Sequence, residues 1–203
     1  MKDISAMGMT QEASVISNKD DSHKVGVVDY FLVECFDIDG NLKWKETIKN
    51  LVTDQGLEYV LNSGFKGGTA YSSWFVGLKA AGTPADTDAA SALPTVGNWT
   101  EYTTYYIDSP GEAEARPALT LGTVTSAVAG TATVDNSASK ASFTIESPAN
   151  DVDGVFIVDS ASKNSNSGAN VLYGVGQFTG GAKTGLSAGD TLNVTVTLEA
   201  STA

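Results

Sequence analysis

The sequence contains very few of the side chains from which active sites and metal centres are usually built. Among its 203 residues there are one cysteine, Cys35, and one histidine, His23. A lone cysteine excludes an intramolecular disulfide, and two such residues are too few for a structural zinc site. Cys35 stands in an apolar run, which indicates a small buried side chain. His23 stands in a polar stretch, so we expect no catalytic triad or Cys-His pair.

Positive charge and long apolar segments are also scarce. Twelve Lys and Arg oppose 24 Asp and Glu, for a formal net charge of −12. A surface of that sign repels nucleic-acid phosphates, so we expect no direct nucleic-acid partner. No stretch approaches the roughly 20 apolar residues of a membrane span, and the first residues lack the apolar segment of a signal peptide. We therefore expect no membrane association and synthesis in a cytoplasm.

What the chain does contain is a repeated β-strand pattern. From Val27 onward, β-branched and aromatic segments alternate with turns rich in Gly, Asn and Ser. The run GVFIV at 154–158 is apolar throughout, which is typical of a central strand covered on both faces. We predict an all-β protein: residues 27–203 form a single antiparallel β-sandwich or jelly-roll-like domain, preceded by an extended polar N-terminal arm, residues 1–26.

One short α-helix is predicted between the strands, at about residues 53–63. Thr53 or Asp54 can cap its N-terminus, and Gly64 is placed for a left-handed C-cap. Its apolar positions share one face, and they are Leu57, Val60 and Leu61.

The stretch CFDIDGNLKWKE resembles a calcium loop in its spacing. If Gly40 takes the glycine position of an EF-hand, then Asp37, Asp39 and Glu46 fall on ligand positions, but the first ligand would be Cys35. An EF-hand also needs flanking helices, whereas the apolar period here is two on both sides. The pattern favours a β-hairpin whose turn uses left-handed conformations at Asp39 and Gly40.

The remaining acidic residues single out no catalytic pair. Asp151 and Asp153 in NDVDG offer oxygen ligands that suit calcium, but turns use the same residue types, and we favour a turn. Carboxylates that would serve a glycosidase have no distinctive spacing; the candidates are Asp37, Asp39, Glu146, Asp151 and Asp153. We predict no catalytic residue, no cofactor and no metal. Calcium at Asp37 and Asp39, or at Asp151 and Asp153, stays open.

Aromatic residues are concentrated in NWTEYTTYYID. A period of two places Tyr102 and Tyr106 on one strand face and Trp99 and Tyr105 on the other. One set is expected in the core and the other at a partner-facing or exposed surface. If exposed, these rings would form a ligand-binding platform for sugars or other flat faces, with two further aromatic residues nearby in sequence, Tyr71 and Trp74.

Several stretches together resemble a family of small structural proteins of tailed bacteriophages, encoded among the head and tail genes. They are KETIKNLVTDQGLEYVLNSGFKGG, WFVGLKAAGTPADTD, WTEYTTY, RPALTLGTVTS, VDNSASKASFTI and GVGQFTGGAKTGLSAGDTLNVTVTLEAS. They run in order from Lys45 to Ser201, and RPAL followed by NSASKASFTI is the most specific combination. The resemblance implies a virion component and supports a β-sandwich, and it brings no catalytic residues.

We therefore expect a capsid decoration or cement protein that stabilises the head by adhesion. The expected partner is the major capsid protein, with trimers or dimers of the chain itself on the capsid surface of the virion. The arm would bridge neighbouring subunits. Two alternatives remain: a tail or tail-adaptor component, and a host-surface or carbohydrate-binding module that uses Trp99 and its neighbouring tyrosines.

Overall fold

The computed structural model describes residues 25–110, 115–126, 128–148 and 151–202, and these form one antiparallel β-sheet with a single α-helix. The all-β class with one short helix is therefore confirmed. The predicted arm lies outside the described residues up to position 24. Its boundary was set slightly too late, because the first strand already begins at Val25.

Eleven strands lie within the described residues, joined by short turns and by several longer segments. In chain order they are β1 Val25–Phe36, β2 Leu42–Val52, β3 Phe75–Lys79, β4 Thr95–Val96, β5 Trp99–Tyr102, β6 Tyr105–Tyr106, β7 Thr131–Asp135, β8 Ala141–Ile145, β9 Gly154–Val158, β10 Leu172–Gln177 and β11 Thr191–Thr202. The helix α1 spans Asp54–Phe65, and a 3₁₀ turn spans Ala90–Ala92.

The strand order is β4-β5-β3-β9-β10-β2-β1-β11-β8-β6, and β7 also pairs with β11. Strand β2 joins two halves of the sheet, because its residues 42–49 pair with β1 and its residues 50–52 pair with β10. The halves turn toward each other, since one buried cluster contains Phe31 and Val194 from one half and Ile157 from the other. This gives the sheet its sandwich-like core.

Strand β9 is covered on both faces, as its uninterrupted apolar sequence predicts. Val155 and Ile157 belong to the main core, while Phe156 and Val158 belong to a second buried cluster that contains Trp99. All five residues of the strand are buried. The second cluster packs beneath the 79–98 connection, so that long segment is ordered by apolar contacts.

Helix α1 begins as predicted but ends later. The Thr53 hydroxyl accepts a hydrogen bond from the backbone N–H of Gly56 at 3.2 Å, which caps the first turn. The left-handed residue after the helix is Gly67, with φ +66°, and Gly64 is still helical. A Cβ on Gly56 would stand 2.1 Å from the Tyr173 carbonyl oxygen, so only glycine lets α1 approach β10 this closely.

Candidate functional site

The aromatic residues proposed as a platform lie in the interior. Trp99, Tyr102 and Tyr105 are each 1% exposed, and only Tyr106 is half-buried. The period of two fails because the chain leaves the strand at residues 103–104, between β5 and β6. The predicted ligand surface is therefore wrong for three of its four members.

The segment that carries these rings is tied to the RPAL motif by a buried ion pair. Arg116 Nε and Nη2 lie 2.7 and 2.9 Å from the two carboxylate oxygens of Glu101, and both side chains are 0% exposed. Arg116 Nη1 donates to the Ser160 carbonyl at 2.8 Å, and the Asn164 N–H donates to Glu101 at 3.0 Å. The guanidinium also lies over the Phe156 ring, 5.4 Å from its centroid. With these donors and acceptors matched, the pair joins distant segments of the core.

The stretch from Asp151 to Asp153 is an extended segment, not the turn that its sequence favoured. Asp153 is buried and its Oδ2 accepts from Lys79 Nζ at 2.9 Å and from Gln177 Nε2 at 3.0 Å. Its backbone N–H donates to the Lys79 carbonyl at 2.7 Å, so this segment extends the β3-β9 pairing. Asp151 is exposed. Oδ2 of Asp153 is therefore engaged by Lys79 and Gln177 inside the fold.

The calcium-like stretch at Asp37 and Asp39 is a hairpin loop, residues 37–41. Asp37 Oδ1 accepts from the N–H groups of Asp39 and Asn41 at 3.0 and 2.8 Å. The Asn41 side chain also donates to this carboxylate, and these bonds lower the pKa of Asp37. Gly40 has φ +84°, whereas Asp39 does not enter the left-handed region, which corrects the predicted turn. The Asp37 carboxylate is thus used by the loop itself.

The other sequence candidates add no reactive group. Cys35 is 0% exposed, and burial raises the pKa of its thiol to about 11, which agrees with a buried apolar role. His23 lies outside the described residues. Over the ranges that the structure describes, no three His, Cys, Asp or Glu side chains are grouped to hold a metal ion. In those same ranges no helix is both long and apolar enough to cross a membrane.

An apolar surface is exposed on α1, and we call it the helix stripe: Leu57, Leu61 and Phe65. These side chains are 46%, 61% and 85% exposed and recur every four residues along one side of the helix. Leu57 and Leu61 therefore lie apart from Val60, which packs against the core. The buried side instead carries Gly56 and Val60, because close contact with β10 requires the glycine there.

A second surface feature, the α1 cleft, lies between α1 and the segment that follows it. Tyr59 and Tyr71 stack with ring centroids 5.5 Å apart, and the Trp74 ring meets Tyr59 edge-on at 4.9 Å. The cleft has a volume of about 360 Å³ and is lined by Gln55, Glu58, Tyr59, Asn62, Gly68, Thr69, Tyr71, Asn170 and Val171. Tyr71 and Trp74 were expected near other aromatic residues, but Tyr59 was not. Its position in a helix pattern does not indicate that its ring contacts the other two.

A buried carboxylate lies beside Tyr173, whose ring meets Trp74 edge-on. Asp29 is 0% exposed, and its Oδ2 accepts a hydrogen bond from Asn50 Nδ2 at 3.1 Å. Its Oδ1 has no hydrogen-bond partner among the described residues. Burial raises the pKa of Asp29 to about 6 despite nearby hydrogen-bond donors. The group can therefore hold a proton in mildly acidic solution.

Comparisons with protein-family models, with curated proteins and with solved structures gave no significant match.

Proposed function

We propose that this protein is a structural component of a tailed-bacteriophage virion, most specifically a decoration or cement protein that binds the major capsid protein. The observation that carries the proposal is the helix stripe, an exposed apolar surface on a sheet-based domain. Scattered apolar side chains are normal at surfaces, but three in register on one helix face favour a contact with another protein. The stripe also falls within one of the stretches on which the phage resemblance rests.

The distribution of charge supports an adhesive role. Five ion pairs within the described residues use Lys43, Lys79, Arg116, Lys140 and Lys183. These pairs neutralise part of the positive charge within the domain, while the whole chain carries a net charge of −12. A protein with such a surface is suited to the outside of a shell, away from packaged DNA.

In the proposed mechanism, the protein attaches to the shell through non-covalent contacts. The helix stripe would be buried against the shell, and the 1–26 arm, of which residues 1–24 lie outside the described part, would reach a neighbouring subunit. Dimers or trimers of the chain at symmetry-related positions would add avidity to each weak contact. No residue is proposed as catalytic, and no cofactor is proposed.

The copy number in purified virions of the encoding phage tests this proposal. Quantitative mass spectrometry should give a ratio to the major capsid protein of about one, or a simple fraction of it such as a third, as lattice symmetry requires. A handful of copies per particle would instead place the protein at the tail or portal vertex. Absence from the particle would overturn the virion proposal altogether.

A further inference from the structure

The α1 cleft combines aromatic rings with uncharged polar side chains. Tyr59 and Tyr71 form a stacked pair at one wall, and the amides of Gln55, Asn62 and Asn170 line the rest. The volume, about 360 Å³, lies at the small end of the range for ligand pockets, roughly 300–1,000 Å³. The cleft is therefore large enough for a small ligand and is not a purely apolar groove.

Two side chains in the cleft, Gln55 and Tyr59, can donate hydrogen bonds to a ligand because their oxygen atoms already accept hydrogen bonds from the backbone. Gln55 Oε1 accepts from the backbone N–H groups of Ala90 and Leu172 at 2.9 and 3.1 Å. This orients the amide and leaves its Nε2 protons for a ligand. The Tyr59 hydroxyl accepts from the Tyr71 N–H at 3.2 Å, which leaves its own proton to donate.

Acceptors are fixed in the same way. Asn170 Nδ2 donates to Asp159 Oδ2 and to the Gly168 carbonyl, each at 3.1 Å, so Oδ1 remains as an acceptor. Asn62 Nδ2 points to Glu58 Oε1 at 3.4 Å, which leaves Asn62 Oδ1 available. The cleft thus presents donors and acceptors side by side, and hydrogen bonds within the protein orient the amides of Gln55 and Asn170 before a ligand binds.

This pattern matches hydroxyl groups, since each hydroxyl donates one hydrogen bond and accepts others. Among the described residues, no lysine or arginine lines the cleft and Glu58 is the one acidic residue that does, so phosphate, sulfate and carboxylate groups find no cationic partner among them. We propose that the α1 cleft binds a neutral oligosaccharide, with a sugar ring against Tyr71 and hydroxyls bonded to Gln55 and Asn170. The proposal does not depend on the virion assignment, and it places the binding site away from Trp99.

The test uses the full chain on a printed array of neutral and acidic glycans. The strongest neutral oligosaccharide is then titrated in solution while tryptophan fluorescence is followed, because Trp74 lies 6.0 Å from the Tyr71 ring and 4.9 Å from the Tyr59 ring. We expect Tyr71→Ala and Asn170→Ala each to weaken binding by about 3–10-fold, as expected for one lost ring contact or hydrogen bond. Leu61→Ala, on the same helix but outside the cleft, is the matched control and should bind like the unaltered chain.

Every result of this experiment decides the proposal. Neutral glycans bound by the unaltered chain and by Leu61→Ala, but weakly by both cleft variants, would support it. Absence of binding to every neutral glycan on the array would overturn it. Binding that persists unchanged in either cleft variant, that is lost equally in Leu61→Ala, or that is confined to acidic glycans would also overturn it. Circular dichroism of each variant ensures that a loss of binding is not a loss of fold.

Discussion

The protein has two concentrations of aromatic residues, and they have opposite surroundings. Trp99, Tyr102 and Tyr105 are close in sequence and buried, each 1% exposed. Tyr59 and Tyr71 come from a helix and the segment after it and line an open cleft. Aromatic density along the chain therefore does not identify a binding surface in this protein.

The difference follows from where each segment lies in the sheet. Strand β5 pairs with β3, next to the doubly covered β9, so Tyr102 packs in the main core and Trp99 in the second buried cluster. Helix α1 lies outside the sheet and packs against β10 along one side only, which leaves the flanking Tyr59 beside solvent. Close packing in the core favours large aromatic side chains on β5. On α1, such side chains improve packing only where the helix contacts the sheet.

The largest expected effect is the loss of Trp99. Trp99→Ala should lower the free energy of unfolding by about 3–5 kcal/mol, because it leaves a cavity beside Phe156 and removes the 2.8 Å bond to Asp88. Tyr71→Ala, at the half-exposed cleft, should cost only about 1 kcal/mol. Urea denaturation of both variants measures the two losses in the free energy of unfolding. Equal losses would contradict the contrast between a buried and a half-exposed aromatic region.

Breaking the ion pair in the buried region should have an effect of similar size. Arg116→Ala should destabilise the fold by about 3–5 kcal/mol, because Glu101 would remain buried without its partner. The double variant Glu101→Gln with Arg116→Met removes both charges and should recover part of that loss. A single variant within about 0.5 kcal/mol of the unaltered chain would contradict a structural role for this pair.

The buried carboxylate of Asp29 makes the stability of the fold depend on pH. The pKa of Asp29 is raised from 3.8 to about 6, so between these values the folded chain keeps a proton that the unfolded chain releases. The stability contributed by the protonated group is complete below pH 4 and is lost as pH rises through 6, by up to about 3 kcal/mol. Asp29→Asn should flatten this part of the stability profile, measured by denaturation from pH 4 to 7. An unchanged profile would exclude Asp29 as its source.

The smallest effect on folding is expected at the helix stripe. Leu61→Ser should change the free energy of unfolding by less than about 0.5 kcal/mol, because the side chain is already 61% exposed. If the stripe meets the shell, the same substitution should weaken attachment to shells stripped of this protein, measured by co-sedimentation. Leu42→Ser, an exposed leucine on β2, serves as the matched control. Full attachment of the Leu61 variant would show that the protein contacts the shell through a surface other than the helix stripe.

Local features of the fold were predictable, and those of the candidate site were mostly not. The hairpin around Gly40 and the Thr53 cap depend on a few consecutive residues, so sequence patterns located them. The Lys79 to Asp153 pair joins residues 74 positions apart, and no local pattern indicates which acid meets which base. The stripe was missed for the same reason: a helix pattern shows that two faces differ, but Gly56 decided which one packs on β10.

By itself, the sequence determined that the chain is an all-β protein with one capped helix, a central strand apolar on both faces and a buried cysteine. These properties follow from side-chain periodicity and from backbone preferences that act over a few residues. Tertiary structure alone decided that Trp99 is core, that Asp153 is paired with Lys79 and that Tyr59 and Tyr71 share a cleft. The physical reason is that burial and pairing depend on strand order and on close packing between distant segments, which periodicity does not encode.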